Sequence, residues 1–465
     1  MEETTIAAIS TAYGEAGIGI VRMSGPDSLS VLKKVFAKGK TGAPSKDAEI
    51  KPRHMYYGRV VDPADGSTVD ECLAVYMPGP ESYTGEDVAE LQCHGSIISY
   101  RKILSLLLKN GAEAAAPGEF TKRAFLNGRM DLAQAEAVID IIKARSARSF
   151  DCAVEQLSGG LSGRVEGIRK QLLDVLVDLT VNMDYPDEDI EEMTYGGLIE
   201  RLSSINDEIL KLKESSSEGR IVREGLLTAI VGKPNVGKSS LMNLLLREER
   251  SIVTDIPGTT RDTIEEQISL RGLTLRFVDT AGIRDSADKV ESIGIERSKD
   301  AFNRADLLLI VLDRSTALSS EDRELLLMAQ GRPSIIIYNK EDLPEAEGSG
   351  LTSARTLLPD APVVSISSST GAGLDSLVDA IEAFVTGGRV RREDDVLVTN
   401  IRHIDLIERA CAELDEALKA SRAGEAMDFI EVNIRAAFDL LGEITGQTAS
   451  GEVIDEVFSR FCLGK

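Results

Sequence analysis

The octapeptide Gly232-Lys233-Pro234-Asn235-Val236-Gly237-Lys238-Ser239 fits G-x-x-x-x-G-K-[ST] and lies between the apolar run LLTAIVG and the amphipathic SSLMNLLLR. A strand that feeds a glycine loop and then opens a helix is the context in which this motif cradles phosphates. Backbone N–H groups and the helix N-terminus face the phosphate oxygens, Lys238 neutralises the β and γ charges, and Ser239 is placed to ligate Mg²⁺. The surrounding pattern agrees. TIEEQISL and LTLRFVDT flank Arg271-Gly272, and DLLLIVLD, SIIIYNK and APVVSISS follow between helical patterns that end with GLDSLVDAIEAFV. Strands alternating with helices predict a mostly parallel sheet covered on both faces, and the one hairpin adds an antiparallel edge strand. This α/β block spans residues 221–382.

Further motifs occur in the order that a GTPase needs them. Asp279-Thr280-Ala281-Gly282, closing an apolar strand, is placed to hold the magnesium shell and sense the γ-phosphate, and Thr260 in GTTRD to close on the metal. Asn339-Lys340-Glu341-Asp342 follows SIIIY. There the Asp342 carboxylate can accept two hydrogen bonds from the N1–H and exocyclic amino group of guanine, a pair that adenine lacks. Charge-assisted bonds contribute roughly 1.5–3 kcal/mol each, enough for guanine selectivity. Ser367 and Ser368 stand where the last base-contacting loop belongs. The residue after DTAG is Ile283, which cannot orient an attacking water as glutamine does. Catalysis must come from elsewhere, with Arg284, Asp285, Asp288 and Glu291 as polar candidates. Asn235 is a candidate ligand for a monovalent cation.

On both sides of the block the period becomes helical. DLAQAEAVIDIIKARSARSFDCAVEQL and VEGIRKQLLDVLVDLTVNM precede it, and IRHIDLIERACAELDEALKA and FIEVNIRAAFDLLGEIT follow it. One helical domain in two parts, 121–220 and 383–465, is the economical reading, with its helices packing together across the insertion. Residues 1–120, with runs such as GIGIVRMS, YYGRVVD and CLAVYMP, form a third, α+β unit. The five cysteines are scattered and suggest reduced, mostly buried thiols. MEETTIAAIS lacks a basic-then-apolar signal and no apolar run approaches the roughly 18 residues of a membrane span, so a cytoplasmic protein without membrane contact is expected. A formal charge of −24 repels nucleic acid overall, so any RNA contact must come from a local basic face.

TIAAISTAYGEAGIGIVRMSGP, GPESYTGEDVAELQCHG, PGEFTKRAFLNGRMDLAQAEAVIDII, NMDYPDEDIEE and the final FCLGK, taken with the G motifs, resemble the bacterial tRNA modification GTPases of the MnmE (TrmE) family, within the TrmE-Era-EngA-like GTPases, over essentially the whole chain. The resemblance implies a multidomain α/β protein: an N-terminal domain similar to folate-dependent one-carbon enzymes, a helical domain, and an inserted Ras-like G domain. It implies a homodimer through the N-terminal domains and work with the flavoprotein MnmG (GidA) in a heterotetramer. Together these add an aminomethyl-type (carboxymethylaminomethyl) group to C5 of the wobble uridine of certain tRNAs. The one-carbon unit comes from a tetrahydrofolate, in its 5-formyl or 5,10-methylene form.

Residue by residue, the resemblance assigns GTP contacts to Asn235, Val236, Gly237, Lys238, Ser239 and Ser240, and to Thr254, Asp255, Ile256, Pro257, Gly258, Thr259 and Thr260. Asp279, Thr280, Ala281, Gly282, Asn339, Lys340, Asp342, Ser367 and Ser368 complete that set. Mg²⁺ falls to Ser239 and Thr260, and K⁺ to Asn235, Thr254, Ile256 and Thr259. Glu291 is the catalytic acid beside Lys238, and Arg22, Glu90, Arg129 and Lys465 hold folate. Cys462, delivered by the helical pattern GEVIDEVFSRF, is the thiol aimed at that site, able to act in proton transfer, as a nucleophile, or merely to pack. TAYGEAG departs from the family's more usual TAPGRGG, and Arg129 stands where lysine is common.

Plainer readings exist for several positions. Arg22 can cap a strand, Glu90 can pair with Arg123 or Lys122, and Lys143, Arg145 and Arg148 can line a solvated helix face rather than touch tRNA. Cys93 and His94, adjacent on a strand, point to opposite faces, which favours a packed thiol and a hydrogen-bonded imidazole over a metal site. Two other functions fit the G motifs: a GTP-switched, RNA-binding ribosome-assembly factor without modification chemistry, and a stand-alone one-carbon transferase regulated by GTP.

Overall fold

The structure, a computed structural model, describes residues 4–45, 47–184, 194–248, 266–278, 302–348, 350–387 and 396–465. The chain forms two compact units. The first comprises Met1–Ile139, Gln156–Thr194 and Ala420–Lys465, and the second Asp140–Glu155 and Tyr195–Lys419.

The first unit is built on a sheet of β1 (Ile6–Ile9), β2 (Ala16–Ser24), β3 (Phe36–Lys38), β4 (Tyr56–Val61), β5 (Thr68–Met77), β6 (Val88–Gly95) and β7 (Glu113–Ala114). Its order is β3-β4-β5-β6-β2-β1-β7, antiparallel except where β7 joins β1. Helices Ser28–Val35 and Ile97–Lys109 bury Val31, Leu32, Val35, Ile103 and Leu107 against Val21, Met23, Ala74 and Leu91 of the strands. Cys93 lies in this core, whereas His94 is exposed and hydrogen-bonds Asp70 at 2.7 Å. The period-two alternation of β6 thus separates the two neighbours. Four of the five cysteines are buried, and Cys462 is exposed.

The second unit holds β8 (Leu226–Val231), β9 (Glu266–Leu270), β10 (Leu273–Phe277), β11 (Leu307–Asp313), β12 (Ser334–Asn339) and β13 (Val363–Ser365) in the order β13-β12-β11-β8-β10-β9. All neighbours are parallel except β9, the antiparallel edge. β12 is buried at every position and β11 at all but Asp313, as strands covered on both faces must be. The β9–β10 hairpin turns through Arg271 and Gly272, at φ of 45° and 82°. Positive φ at both central residues matches the right-handed strand twist.

In each unit a helix from before the nucleotide block packs with one from after it. Gly160–Asp184 lies against Met427–Thr445 in the first unit, where the Arg169 Nε donates to the Phe438 carbonyl at 3.2 Å. In the second, Asn206 on Tyr195–Glu224 donates to Asp415 on Ile401–Ala423 at 3.2 Å. Gly219 abuts the Val398 carbonyl so closely that a Cβ there would lie 2.1 Å from its oxygen. Among the described residues no helix is long and apolar enough to cross a membrane.

Candidate functional site

The second unit brings the phosphate loop, the NKED segment and the Ser367-Ser368 loop together at the ends of β8, β11 and β12. From Val231 the chain enters the loop Gly232–Gly237 and then the helix Lys238–Glu248. Asn235 takes φ of 63° and Gly237 φ of 102°, which bends the loop around its own centre. Gly237 is obligatory for a second reason: a Cβ there would sit 2.1 Å from the Asn339 amide nitrogen. Asn339 is only 1% exposed. Its Nδ2 donates to the Val236 carbonyl at 2.7 Å, while its Oδ1 accepts from the Ser368 N–H at 3.0 Å and hydroxyl at 2.8 Å. One side chain therefore ties the phosphate loop to the loop after β13.

The groups assigned to base reading surround that strut. The Ser367 hydroxyl donates to Asp342 at 2.6 Å and holds its carboxyl below the usual range, so Asp342 stays an acceptor. Lys340 pairs with Asp313 at 2.6 Å. Burial pushes Asp313 up, but its hydrogen bonds with Lys340 and Ser315 outweigh that and keep it ionised. Lys238 donates to the carbonyls of Gly232 at 2.7 Å and Lys233 at 2.8 Å, and burial lowers its ammonium pKa. Among the described residues no carboxylate pairs with it. A half-buried cation resting on neutral carbonyls, above a loop that tolerates no Cβ at Gly237, fits a phosphate chain.

Sequence reasoning missed one pair in this site. Lys233 Nζ meets Asp322 Oδ2 at 2.7 Å, and Asp322, 3% exposed, also closes a capping box with Ser319 on the helix Ser320–Met328. Burial raises Asp322, but Lys233 and Ser319 outweigh it and hold the carboxyl low. The sequence signal was Ser319-x-x-Asp322, an N-terminal capping pattern. Of the remaining nucleotide assignments, Val236, Ser239 and Ser240 lie on the loop and the first helical turn. Thr254, Asp255, Ile256, Pro257, Gly258, Thr259, Thr260, Asp279, Thr280, Ala281, Gly282 and Glu291 lie outside the described residues, as does Ile283 with the other catalytic candidates Arg284, Asp285 and Asp288.

The first unit brings together the four folate assignments. Arg22 on β2 is in register with Glu90 on β6, and its Nε donates to the carboxylate at 2.8 Å. Arg22 lies 5.2 Å from the Tyr83 ring centroid and 5.9 Å from that of Phe120. Arg129 approaches the Tyr83 ring to 5.1 Å and donates to the Tyr83 carbonyl at 2.6 Å. Glu90 does not pair with the alternative cations: Arg123 engages Glu86 and Glu119, and Lys122 engages Asp455.

The last residues complete this site. Helix Gly451–Ser459 is anchored by Phe458 and Phe461, which are buried among Ala124, Leu132 and Ile139. Gly118 then donates to the Cys462 carbonyl at 3.4 Å and Phe120 to the Lys465 carbonyl at 3.2 Å. Gly464 takes φ of 88° against β1, where a Cβ would meet the Ile9 carbonyl at 2.1 Å. Burial and then the neighbouring Arg22 lower the Lys465 ammonium pKa, partly offset by Cys462 and Glu90. A carboxylate, three cations and an aromatic ring in one place fit a polar heteroaromatic ligand with an acidic tail. In the departing loop, the Tyr13 hydroxyl accepts from Arg101 at 2.8 Å and Glu15 is exposed.

Comparison with known proteins meets this geometry at both units. A model described as the GTP-binding protein TrmE N-terminus matches residues 5–129, and one described as the MnmE helical domain matches 132–462. The chain belongs to the MnmE family of tRNA modification GTPases. It is 45% identical to the tRNA modification GTPase MnmE of Alkaliphilus oremlandii, over 100% of this chain and 99% of that protein. Identity to the protein of the same name in Alkaliphilus metalliredigens is 46%, again over 100% and 99%. Among solved structures, Aquifex aeolicus Era bound to GDP and AlF4⁻ is 27% identical over 40% of this chain and 65% of its own, with a TM-score of 0.27.

Asp322→Asn keeps one oxygen acceptor for the cap but removes the charge that holds Lys233. GTP affinity, measured by titration with a fluorescent analogue, is expected to fall about tenfold, or roughly 1.4 kcal/mol, with the protein still folded. Wild-type affinity would show that the pair only caps a helix.

Proposed function

We propose that this chain hydrolyses GTP to drive tRNA modification. With the flavoprotein MnmG, it adds a carboxymethylaminomethyl-type group to C5 of the wobble uridine, using a one-carbon unit carried by tetrahydrofolate. The observation that carries this reading is the pairing, in a member of the MnmE family, of an Asn339-braced phosphate loop with a second polar site of Arg22, Glu90, Arg129 and Lys465. Guanine is read by Asp342, and phosphates by Lys238 and the loop N–H groups, with Mg²⁺ at Ser239 and Thr260. Tetrahydrofolate bound at the second site supplies the one-carbon unit. Arg22, Arg129 and Lys465 would hold its acidic groups, and Glu90 would accept hydrogen bonds from its N–H groups. The exposed Cys462 is the thiol available beside them.

The working parts are an N-terminal folate and dimerisation domain at 1–120, helical segments at 121–220 and 383–465, and the G domain at 221–382. A homodimer is supported by exposed Ile18, Tyr57 and Leu73, which line one shallow hollow on the N-terminal sheet. The setting is cytoplasmic.

Wobble-uridine nucleosides from a strain lacking the protein should lose the modification. Wild type should restore it, whereas Cys462→Ser should fail to do so while retaining GTP turnover. Normal nucleosides in the deletion strain would overturn the function, and rescue by the serine variant would return Cys462 to a packing role. Potassium at Asn235, Thr254, Ile256 and Thr259, with Glu291 as the acid, predicts faster GTP hydrolysis in potassium than in sodium at equal ionic strength. Equal rates would remove the cation from the mechanism.

A further inference from the structure

A chain with net charge −24 has carboxylates enough to pair its cations, so a sector where cations go unpaired is informative. Between Ser28 and Val61 the described residues include Lys33, Lys34, Lys38, Lys40, Lys51, Arg53 and Arg59, against the acids Asp47 and Glu49. The helix Ser28–Val35 runs directly into β3, the edge strand, with β4 beside it. Lys33 and Lys34 from the helix and Arg59 from β4 meet around one hollow of about 450 Å³, whose only acidic lining residue is Asp62.

The bonds these cations make are to neutral atoms. Arg59 donates to the Thr68 hydroxyl and the Gly42 carbonyl, both at 2.9 Å, and its Nε is buried without a partner. Lys34 donates to the Asn110 carbonyl at 2.8 Å. Lys38 donates to the Glu49 backbone carbonyl and lies 4.0 Å from the Tyr56 ring centroid. Among the described residues only Arg53 of the seven forms an ion pair, with Glu81. Two of the three basic residues suggested by sequence are committed elsewhere, since Arg145 bonds Gln267 and Arg148 bonds Glu218. Edge protection explains Lys38, and the helix dipole favours Lys33 and Lys34. Neither explains why Arg59 joins them at one hollow with an unsatisfied N–H.

We propose that this sheet edge, the Lys33–Lys34–Arg59 hollow flanked by Lys38, Lys40 and Lys51, binds the phosphate backbone of the tRNA. The inference rests on the tRNA reading above and assigns it a surface. Convergent cations of fixed spacing, with no carboxylate among their bonds, suit the multiple oxygens of successive phosphates. They give affinity and register rather than base specificity.

The test uses full-length protein, a fluorescent tRNA transcript and anisotropy titrations from 50 to 200 mM KCl. The variant is Lys33→Gln/Lys40→Gln/Lys51→Gln, three side chains without a hydrogen bond among the described residues. Affinity is expected to fall at least about tenfold, and the slope of log K against log salt to flatten by roughly two to three, with GTP turnover unchanged. A second variant, Lys34→Gln, should weaken binding in the same direction. Parental affinity and slope in both variants would overturn this surface alone. If the unsubstituted protein binds no tRNA at 50 mM salt, the tRNA reading falls with it. If the variants lose polyglutamate binding but keep tRNA, the edge serves an acidic protein and the proposal is wrong.

Discussion

The buried amide of Asn339 is the joint on which the nucleotide site depends. Its three hydrogen bonds connect residues 103 and 29 positions away, and Gly237 exists as glycine because that amide occupies the space of its side chain. An unsatisfied buried amide costs about 1–3 kcal/mol per group, so the phosphate loop and the Ser368 loop hold each other in place. Around that joint the ion pairs Lys340–Asp313 and Lys233–Asp322 fix the flanking backbone. These internal bonds hold the described parts of the site in one geometry, and a site held by its own bonds lowers the ordering cost of binding.

The first unit uses a different device for the same end. Two phenylalanines bury the last helix, and backbone hydrogen bonds from Gly118 and Phe120 then lay residues 462–465 beside Arg22. A site made from residues more than 440 positions apart is held by packing rather than by local sequence. The half-buried Lys465 and exposed Cys462 show the result: the charge is placed by the fold, while the sulfur stays open to solvent.

Much of this was legible in the sequence, for physical reasons. Continuous apolar runs gave away β11 and β12, the Arg271-Gly272 turn located the edge hairpin, and alternation separated Cys93 from His94. The phosphate loop and NKED motif announced themselves because backbone chemistry fixes their spacing. Side-chain partnerships were less visible. Lys233 and Asp322 are 89 positions apart, and a solvated lysine and a helix-capping acid look the same in sequence as a buried pair. Which particular helices pair across the insertion also escaped, because an amphipathic stripe specifies a buried face but not the partner that covers it.

The central claim is that the Asn339-braced pocket reads guanine through the Asp342 carboxylate. Nucleotide preference in Asp342→Asn measures it most directly, because an amide presents a donor where guanine also presents one, while xanthine presents a carbonyl. Binding and hydrolysis of GTP are expected to fall at least about a hundredfold, or roughly 2.7 kcal/mol, and xanthosine triphosphate to become the preferred substrate. Undiminished preference for GTP in that variant would contradict it.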